Sequence, residues 1–399
     1  MKKAVILIFL NRYLPGYRAG GPIQTVANMM AALGDRYDFH IVTTDRDFGD
    51  TDPYPGTRHG EWMTVGKARV RYLAPAEIRW RTFRKILAER RYDLLYCQSF
   101  FDPRFTLLPL LVAALCGYSR IPVLLAPRGE FGAGALAHKR LKKKIFLFVF
   151  RRILLKLLNY RFHCSSPDEE NDLKMVLGPC IKSYCALDFS AQDHIDAETV
   201  SELCSDKTPL RIAFLGRIDV QKNIDYALGV LAKLNIPAIM DIYGNVCDDR
   251  YYQRCRALAK ALPEHIVASF KGALAHDKVL ATLSGYDLFF FPSKNENFGH
   301  VIHEALRAGL PALISNRTPW HELGKRNAGW ELPLDSADGF AAAIESYSRL
   351  SAAERRTMRL SALQYGIDVS RDQRVYDDNV KMFDDILQPR PESKKEGGG

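Results

Sequence analysis

Residues 294–311 read KNENFGHVIHEALRAGLP and place two glutamates, Glu296 and Glu304, eight positions apart. The first glutamate lies in a polar stretch, and the second lies in an apolar stretch with helical spacing. A short apolar run at 287–292 precedes this segment, and another at 311–316 follows it. Strand, loop, helix and strand in this order are typical of a parallel βαβ unit, so the segment predicts an α/β fold.

The same alternation runs through most of the chain. Apolar runs predict strands at 4–10, 39–44, 93–98, 123–127, 210–216, 238–244, 267–272, 287–292 and 311–316, and helical patterns between them lie at 22–33, 80–91, 105–116, 223–234, 249–262, 276–285, 299–308 and 336–349. A polar break at 180–208 separates two halves. We therefore predict two doubly wound, Rossmann-like parallel-sheet domains, 1–190 and 208–366, facing each other across a cleft, with a disordered tail at 389–399.

Composition narrows the classes of partner. The 399 residues suffice for two cores, and the formal net charge of +10 favours nucleic acid, a membrane surface or a phosphorylated ligand. The eight cysteines form no CxxC motif, which is typical of reduced thiols in the cytoplasm. No apolar run reaches the roughly 18 residues of a spanning helix. The first apolar run reads as a strand rather than as the core of a signal peptide.

The two glutamates suit a ligand that combines a phosphate with sugars. The helix is predicted to begin near Phe298–Gly299 and to end near Gly309. Free N–H groups at its start favour an anion, and Gly299 permits close approach of a phosphate. Glu296 and Glu304 can each accept hydrogen bonds from two adjacent hydroxyls, which indicates a nucleotide sugar. The alternative is that Glu304 only stabilises the helix dipole and that Glu296 is an ordinary solvated residue.

A second motif, FLGRIDVQKN at 214–223, follows the first predicted strand of the second half. Its Arg217 and Lys222 suit a diphosphate, whose negative charge grows as it leaves a sugar. In the first half, LPGYRAGGPIQTVANMM at 14–30 leads from a strand into a helix. Gly20 and Gly21 let backbone amides approach a phosphate across the cleft, and Pro22 fits the first helical turn. Surface cations and an ordinary turn remain the alternatives for these two motifs.

These motifs resemble a known family. GRIDVQKN and SKNENFGHVIHEALRAGLPALIS are similar to the nucleotide-binding half of the retaining family 4 glycosyltransferases of GT-B fold. AGGP near the start and APRGEFGAGALAHKRLKKKIF at 126–146 match a bacterial subset of that family. The resemblance extends over residues 3–385, so it takes in both predicted domains.

The resemblance implies transfer of a sugar from a nucleoside diphosphate, as a UDP- or GDP-sugar, to an acceptor hydroxyl with retained anomeric configuration and without a metal or other cofactor. It implies an acceptor-side domain at 1–190, a nucleotide-sugar domain at 208–366 and a closing helix at 367–388 that returns to the first domain. The residues that it implies in catalysis are Glu296, Arg217 and Lys222, and those in donor binding are Gly20, Gly21, Arg217, Lys222, Gly272, Glu296, Asn297, Phe298, Gly299 and Glu304. Among them, Arg217 and Lys222 would hold the diphosphate, Glu296 the donor sugar, Glu304 the ribose, and Gly272 would lie near the base.

The sequence departs from the family on the acceptor side. Many relatives carry a histidine after the strand that matches 123–127, where this chain reads APRGEF. Arg128 cannot act as a base because a guanidinium stays protonated, but it can bind a phosphate or the acceptor. Glu130 can orient the acceptor hydroxyl, and a helix-capping or salt-bridge role is the alternative.

The stretch HKRLKKKIFLFVFRRILLKLLNYR, at 138–161, interleaves basic and apolar residues and has no acid. An amphipathic helix on an anionic membrane fits this pattern and would suit a lipid-linked or saccharide acceptor. The alternative is a helix that buries its apolar stripe in the first domain; nucleic-acid binding is weaker, since no nucleic-acid motif accompanies it. We therefore expect an enzyme of bacterial polysaccharide or lipopolysaccharide synthesis, peripheral on the inner face of the membrane.

Two other function classes stay open. A GT-B-fold sugar-nucleotide epimerase would usually lack the combination of Arg217, Lys222 and the glutamate pair. A non-catalytic protein that binds a sugar nucleotide or a lipid would tolerate the loss of one of these residues, and all are present. The absence of a GxGxxG motif disfavours a dinucleotide-dependent oxidoreductase.

Overall fold

The computed structural model describes residues 3–18, 20–132, 143, 146–148, 150–202 and 208–388. Within these residues the chain forms two α/β units, each built on one mainly parallel sheet. The predicted fold class, two Rossmann-like parallel-sheet domains, is confirmed.

The N-terminal sheet has the order β3-β4-β2-β1-β5-β6-β7-β8, and only the edge strand β3 runs antiparallel to its neighbour. Its strands are β1 (Val5–Phe9), β2 (Asp38–Thr44), β3 (Trp62–Val65), β4 (Ala68–Leu73), β5 (Leu94–Cys97), β6 (Val123–Leu125), β7 (Tyr160–Cys164) and β8 (Ser183–Cys185). The central strands are apolar throughout because helices cover both faces of the sheet, and every residue of β1 is buried.

The helices of this unit are α1 (Gly21–Leu33), α2 (Trp80–Glu89), α3 (Leu108–Leu115) and α4 (Pro167–Leu177). Short helical turns at Pro75–Glu77, Pro103–Leu107, Phe150–Leu154 and Leu155–Leu157 complete it. The N-terminus of α4 is capped by the Ser166 hydroxyl, which accepts from the amide of Glu169.

The C-terminal sheet has the order β11-β10-β9-β12-β13-β14, in which all strands are parallel. Its strands are β9 (Leu210–Leu215), β10 (Ala238–Tyr243), β11 (Ile266–Gly272), β12 (Leu288–Phe291), β13 (Ala312–Ser315) and β14 (Gly329–Leu332). Numbered from β9, this is the order 3-2-1-4-5-6 of dinucleotide-binding sheets, which reverses direction between β9 and β12. The loops that follow β9 and β12 therefore diverge and leave a crevice at the carboxyl edge.

The helices of the C-terminal half are α5 (Ala197–Glu202), α6 (Ile224–Leu231), α7 (Asp249–Lys260), α8 (Val279–Ser284), α9 (His300–Arg307), α10 (Ala337–Ser348), α11 (Ala352–Ser370) and α12 (Gln373–Leu387). A single turn at His276–Lys278 precedes α8. Helix α11 crosses α9 closely at Gly366, where an added Cβ would lie 2.9 Å from the amide nitrogen of Arg307. Buried Arg359 fixes α11 to the end of α8, since its guanidinium donates to the carbonyl of Ser284 at 2.7 Å.

Helix α12 packs on the N-terminal sheet. Phe383 lies against the rings of Tyr37, Phe39 and Tyr96, with centroids 5.2–6.2 Å apart. Asp384 accepts hydrogen bonds from Arg36 and from the Tyr37 hydroxyl. The predicted segment 367–388 is thus divided: residues up to Ser370 belong to α11 and only α12 returns to the first sheet.

Several elements were not predicted. The sequence patterns did not predict the hairpin of β3 and β4, the strands β7, β8 and β14, or the helices α4 and α11. The basic stretch 138–161 does not continue as one helix, because Tyr160 and Arg161 belong to β7. Residues 138–142, 144, 145 and 149 of that stretch, and the tail 389–399, lie outside the described residues. In the part of the chain that the structure describes, no helix has the length and apolarity needed to cross a membrane.

Candidate nucleotide-sugar site

The crevice of the C-terminal sheet is formed by two loops, residues 216–223 after β9 and residues 292–299 after β12. The first loop leaves its strand at Gly216, which packs so closely on Gly244 that a Cβ on Gly244 would lie 1.8 Å from the Gly216 carbonyl oxygen. Asn223 ends this loop in the left-handed region, with φ of 60°, and donates from Nδ2 to the carbonyl of Pro292 in the other loop. The two loops are therefore fixed to each other at their ends.

Lys222 and Glu296 meet between these loops. The Lys222 ammonium lies 2.5 Å from Glu296 Oε1, and both side chains are largely buried, with 14% and 12% of their surface exposed. Ser293 also donates to Oε1, at 2.6 Å, whereas Glu296 Oε2 has no partner among the described residues. The Lys222 ammonium lies 5.4 Å from the centre of the Phe291 ring, which adds a cation–π contact. One carboxylate oxygen is thus fixed and the other is available to a ligand.

The start of α9 presents unused backbone donors. Within the described residues, the amides of Asn297, Phe298 and Gly299 donate to no acceptor. Gly299 caps the helix with φ of 79°, a conformation that suits glycine, and the indole of Trp320 donates to the Phe298 carbonyl at 2.6 Å. The helix dipole and these free N–H groups favour an anion at this end of α9.

Glu304 lies one turn inside α9 and is buried, with 6% of its surface exposed. Burial raises the pKa of its carboxyl to about 7, although the nearby Arg307 opposes the shift. The imidazole Nδ1 of His276 lies 3.6 Å from Glu304 Oε1, and burial lowers the pKa of that histidine. A buried acceptor with a raised pKa is typical of a binding site, and His276 was not among the predicted residues.

The other predicted residues of this half line the edge of the crevice. Arg217 is half exposed, and its guanidinium lies 3.5 Å from Asp219. Asp219 also accepts from the amide of Gln221, which shapes the turn before Lys222. Gly272 ends β11 with φ of 78° and is exposed, and its carbonyl accepts from the amide of Gly244 at 2.8 Å.

The N-terminal unit faces the crevice through the loop after β1. Gly20, with φ of 77°, caps the start of α1. Gly21 lies beside His300 of the other unit, because a Cβ on Gly21 would come within 3.5 Å of the imidazole Cδ2. The carbonyl of Arg18 accepts from Asn245 Nδ2 at 3.1 Å, which ties the same loop to the end of β10.

The predicted acceptor-side residues, Arg128 and Glu130, are engaged inside their own domain. Arg128 has φ of 53°, and its side chain, only 8% exposed, donates to Gln98 and Asp188. Glu130 accepts from the Ser99 hydroxyl and from the amides of Phe100 and Phe101, so it organises the loop after β5. Both side chains thus help to hold their own domain together, and direct binding of an acceptor by them stays a prediction.

The same loop nevertheless reaches the donor side. A Cβ on Gly129, which has φ of 79°, would lie 2.9 Å from Asn297 Oδ1 across the cleft. The Asn297 Nδ2 atom is buried and has no partner in the described residues. Asn297 thus joins the two units at the point where the amides of the donor loop are free.

Three further residues of the cleft were not predicted: Thr25, Asp188 and His300. Thr25 and Asp188 are buried, and His300 is partly buried, where the two units meet. The only sequence feature that could have indicated Asp188 is a single acid within the apolar run YCALDF.

Two parallel-sheet units whose switch points face each other across a cleft define the GT-B fold of sugar-nucleotide-dependent transferases. Comparison with protein families agrees with this class. Residues 20–179 match the glycosyl transferase 4-like domain, and residues 197–362 match the glycosyl transferases group 1 family. Together the two matches take in most of the chain, which belongs to the family 4 glycosyltransferases of GT-B fold.

Curated relatives are similar over part of their length. An uncharacterized 41.2 kDa protein in the cps region of Klebsiella pneumoniae is 24% identical over 242 residues, which are 58% of this chain and 62% of that protein. Glycogen synthase 2 of Nitrosococcus oceani is 33% identical over 118 residues, 29% of this chain and 23% of that enzyme. The chain thus spans less than two thirds of the length of these curated relatives.

Solved structures share the fold over nearly the whole chain. Sucrose-phosphate synthase from Thermosynechococcus elongatus superposes with a TM-score of 0.69 at 16% identity, covering 97% of this chain and 99% of that one. HepE of Anabaena, in complex with UDP-glucose, superposes with a TM-score of 0.66 at 14% identity, covering 96% of this chain and 99% of that one. WaaG, a glycosyltransferase involved in lipopolysaccharide biosynthesis, superposes with a TM-score of 0.63 at 15% identity, covering 96% of this chain and 100% of that one.

Proposed function

We propose that this protein transfers a hexose from a nucleoside diphosphate sugar, a UDP- or GDP-sugar, to an acceptor hydroxyl with retention of configuration. The observation that carries the proposal is the buried contact of Lys222 with Glu296 beside the free amides that begin α9. A cation, a helix N-terminus and a carboxylate with one unused oxygen can hold a diphosphate and a sugar side by side.

The chemistry follows from where charge develops. The bond between the anomeric carbon and the phosphate oxygen breaks, and the acceptor oxygen bonds to that carbon from the same face. The acceptor proton passes to the departing phosphate oxygen, so the nucleoside diphosphate leaves with the proton and no oxidant or further reactant is needed. Lys222, Arg217 and the amides of 297–299 stabilise the negative charge that grows on this diphosphate.

Two carboxylates orient the donor. Glu296 Oε2 lies free beside the diphosphate position and accepts hydrogen bonds from sugar hydroxyls, while Oε1 stays fixed by Lys222 and Ser293. Glu304, farther along α9, accepts from the ribose diol when it is ionised, and Gly272 lies at the end of β11 toward the base. Gly20 and Gly21 begin α1 on the opposite wall and bring its free N-terminus toward the same diphosphate.

We further propose that the diphosphate is bound without a metal, because protein cations and amides supply the charge compensation that a divalent ion supplies in other transferases. Lys222 is held at the crevice by Glu296, and Arg217 is half exposed beside it. Two cations and a helix N-terminus can each donate hydrogen bonds to the oxygens of the diphosphate.

The first prediction tests the donor site. In a thermal-shift panel of UDP-, GDP-, ADP- and TDP-sugars, one nucleotide class is expected to raise the melting temperature by several degrees, and EDTA is expected not to change that rise. The Glu304→Ala variant serves as the comparison, because the ligand should raise the variant's own melting temperature much less than it raises that of the wild type. No rise with any of these ligands at millimolar concentration would contradict the proposed function.

We also propose that the acceptor belongs to bacterial surface polysaccharide or lipopolysaccharide synthesis and that the enzyme is peripheral on the inner face of the membrane. The relative encoded in a cps region and the structural likeness to WaaG support this setting. In the described part of the basic stretch, Phe146 packs against Phe100 and Phe101, whereas Phe148 is 63% exposed. The surface therefore combines an exposed aromatic ring with exposed cations.

The second prediction concerns this surface. Arg151 and Arg152 are exposed, and the Arg152 guanidinium lies 5.5 Å from the centre of the Phe148 ring. The double variant Arg151→Glu, Arg152→Glu is expected to sediment severalfold less with vesicles containing anionic phospholipid, since each basic residue contributes about 1 kcal/mol near such a surface. The same charge change at exposed Lys325 and Arg356 of the C-terminal unit is the control. Equal sedimentation of both double variants and the wild type would reject membrane binding through this surface.

A further inference from the structure

A buried chain of hydrogen bonds crosses the cleft between the two units. It runs from Arg128 to Asp188, from Asp188 to Thr25 at 3.1 Å, and from Thr25 to His300 Nε2 at 2.9 Å. Arg128 and Thr25 belong to the N-terminal unit, Asp188 to the segment that follows β8, and His300 is the first residue of α9 in the C-terminal unit. The chain therefore connects three parts of the molecule that lie far apart in sequence.

The direction of each hydrogen bond follows from the chemistry of the groups. Burial alone would raise the pKa of Asp188, but Arg128, His300 and His163 outweigh it and hold that pKa below its ordinary value. An ionised carboxylate can only accept, so the Thr25 hydroxyl donates its single proton to Asp188. The Thr25 oxygen must then accept from His300, which fixes the imidazole as the tautomer with hydrogen on Nε2. Burial lowers the pKa of His300 to about 4, which keeps the ring neutral.

This contact lies between the two walls of the proposed donor site. Thr25 follows Gly21 by one turn of α1, and the His300 ring packs beside Gly21. His300 is also four residues after Glu296 and directly follows Gly299. The Thr25–His300 hydrogen bond thus connects the start of α1 with the start of α9, the two helix ends that would face the same diphosphate.

We propose that His300, held in one tautomer by Thr25, is a positioning residue that docks the start of α1 onto the donor loop for the transfer step. The inference rests on the proposed function and adds to it a contact that joins the domains. It implies that docking affects turnover more than nucleotide affinity, because most of the proposed nucleotide contacts lie in the C-terminal unit, whereas transfer needs the second wall in place. A misplacement of about 1 Å at such a site is enough to cost on the order of a hundredfold in rate.

Thr25→Val tests the proposal because valine keeps the shape of threonine and removes the hydroxyl. The measurements are the dissociation constants for UDP and GDP, and kcat and KM for nucleotide release from the UDP- or GDP-sugar that stabilises the wild type. We expect kcat to fall at least about tenfold while the nucleotide dissociation constant changes less than about threefold. Thr25→Ser should restore kcat, since serine supplies the same hydroxyl.

Asn28→Ala is the matched control. Asn28 is on the same helix and donates to the carbonyl of Phe189 at 3.0 Å, so it joins α1 to the segment that carries Asp188 without touching His300. A purely structural role of Thr25 predicts that Thr25→Val and Asn28→Ala lower the melting temperature and kcat to the same extent. Our proposal predicts that only Thr25→Val changes kcat at a temperature where all variants are folded.

A spectroscopic measurement examines the contact itself. Nitrogen-15 spectra of the histidine rings, assigned with His300→Gln, should show hydrogen on Nε2 of His300 at neutral pH in the wild type and in Thr25→Ser, and a mixture of tautomers in Thr25→Val. Unchanged kcat in Thr25→Val, or loss of kcat in Thr25→Ser as large as in Thr25→Val, would overturn the inference alone. Failure of the wild type to bind either nucleotide would overturn the proposed function and the inference with it.

Discussion

Replacing Lys222 by methionine is expected to lower kcat for sugar transfer by a factor of about a hundred to a thousand. Methionine keeps the length and packing of the side chain against Phe291 but removes the charge beside the diphosphate. Because the negative charge on the diphosphate grows in the transition state, the loss should appear mainly in kcat and only weakly in nucleotide affinity. Single-turnover release of nucleoside diphosphate, together with the dissociation constant for the free nucleotide, separates the two effects.

The matched control for this variant is Lys294→Met. Lys294 is exposed in the loop of Glu296, two residues before that glutamate, and its side chain has no described partner. Its replacement should leave kcat within about twofold, as surface substitutions usually do. A Lys222→Met enzyme with a kcat as high as that of Lys294→Met would remove Lys222 from the site.

A double variant separates the effect of Lys222 on the stability of the fold from its effect on catalysis. Loss of Lys222 leaves Glu296 as a largely buried carboxylate without its cation, which destabilises a protein by a few kcal/mol. The double variant Lys222→Met, Glu296→Gln should therefore melt higher than Lys222→Met alone while remaining inactive. A double variant that melts no higher than the single one would show that the contact contributes little to the folded state.

Glu304→Gln is expected to weaken nucleotide binding ten- to a hundredfold at about pH 8 and to abolish the pH dependence of binding near neutrality. Burial raises the pKa of Glu304 to about 7, so the wild-type carboxyl is partly protonated at neutral pH. The ionised form accepts from both ribose hydroxyls, and the protonated form loses much of this capacity. Wild-type affinity should therefore increase as the pH rises through 7, whereas affinity of the glutamine variant should stay flat.

Without ligand, Glu304 should make the stability of the folded protein change with pH in the opposite direction to the nucleotide affinity. The pKa of Glu304 in the folded protein lies above its ordinary value of 4.5, at about 7. Between these values the folded protein keeps a proton that the unfolded chain has released, so stability decreases as the pH rises through this interval. Glu304→Gln should thus raise the melting temperature relative to wild type at about pH 8 and less at about pH 5. Parallel melting curves of the two proteins at both pH values would contradict the assigned pKa.

The two loops of the candidate donor site could be located from the sequence because each is short and contiguous. Lys222 and Glu296 each lie in the loop after a mostly apolar strand, and the strand order of a doubly wound sheet brings the two loops together. The predicted anion site at the start of α9 also depends only on local features, a glycine and the start of a helical pattern. Local sequence patterns were therefore enough to locate each loop, and the strand order of the sheet explains why the two loops meet.

The contacts across the cleft could not be predicted in this way. Thr25 meets Asp188 across 163 residues of sequence and His300 across 275, and no local pattern indicates such pairs. The sequence pattern did not predict strand β7, because basic and apolar residues with helical spacing extend directly up to its start at Tyr160. Nor does the sequence show that Asp188 engages Arg128, or that Ser99 and the amides after β5 engage Glu130.

The return of α12 to the first sheet makes the N-terminal domain discontinuous in sequence. Phe383 fills a socket formed by Tyr37, Phe39 and Tyr96, and Met382 and Ile386 are buried in the same cluster. A chimaera that grafts the N-terminal half of this protein onto another transferase must therefore carry α12 as well. If the graft stops before that helix, the aromatic side chains that contact Phe383 are exposed to water. The exchanged domain will then tend to aggregate before its acceptor preference can be measured.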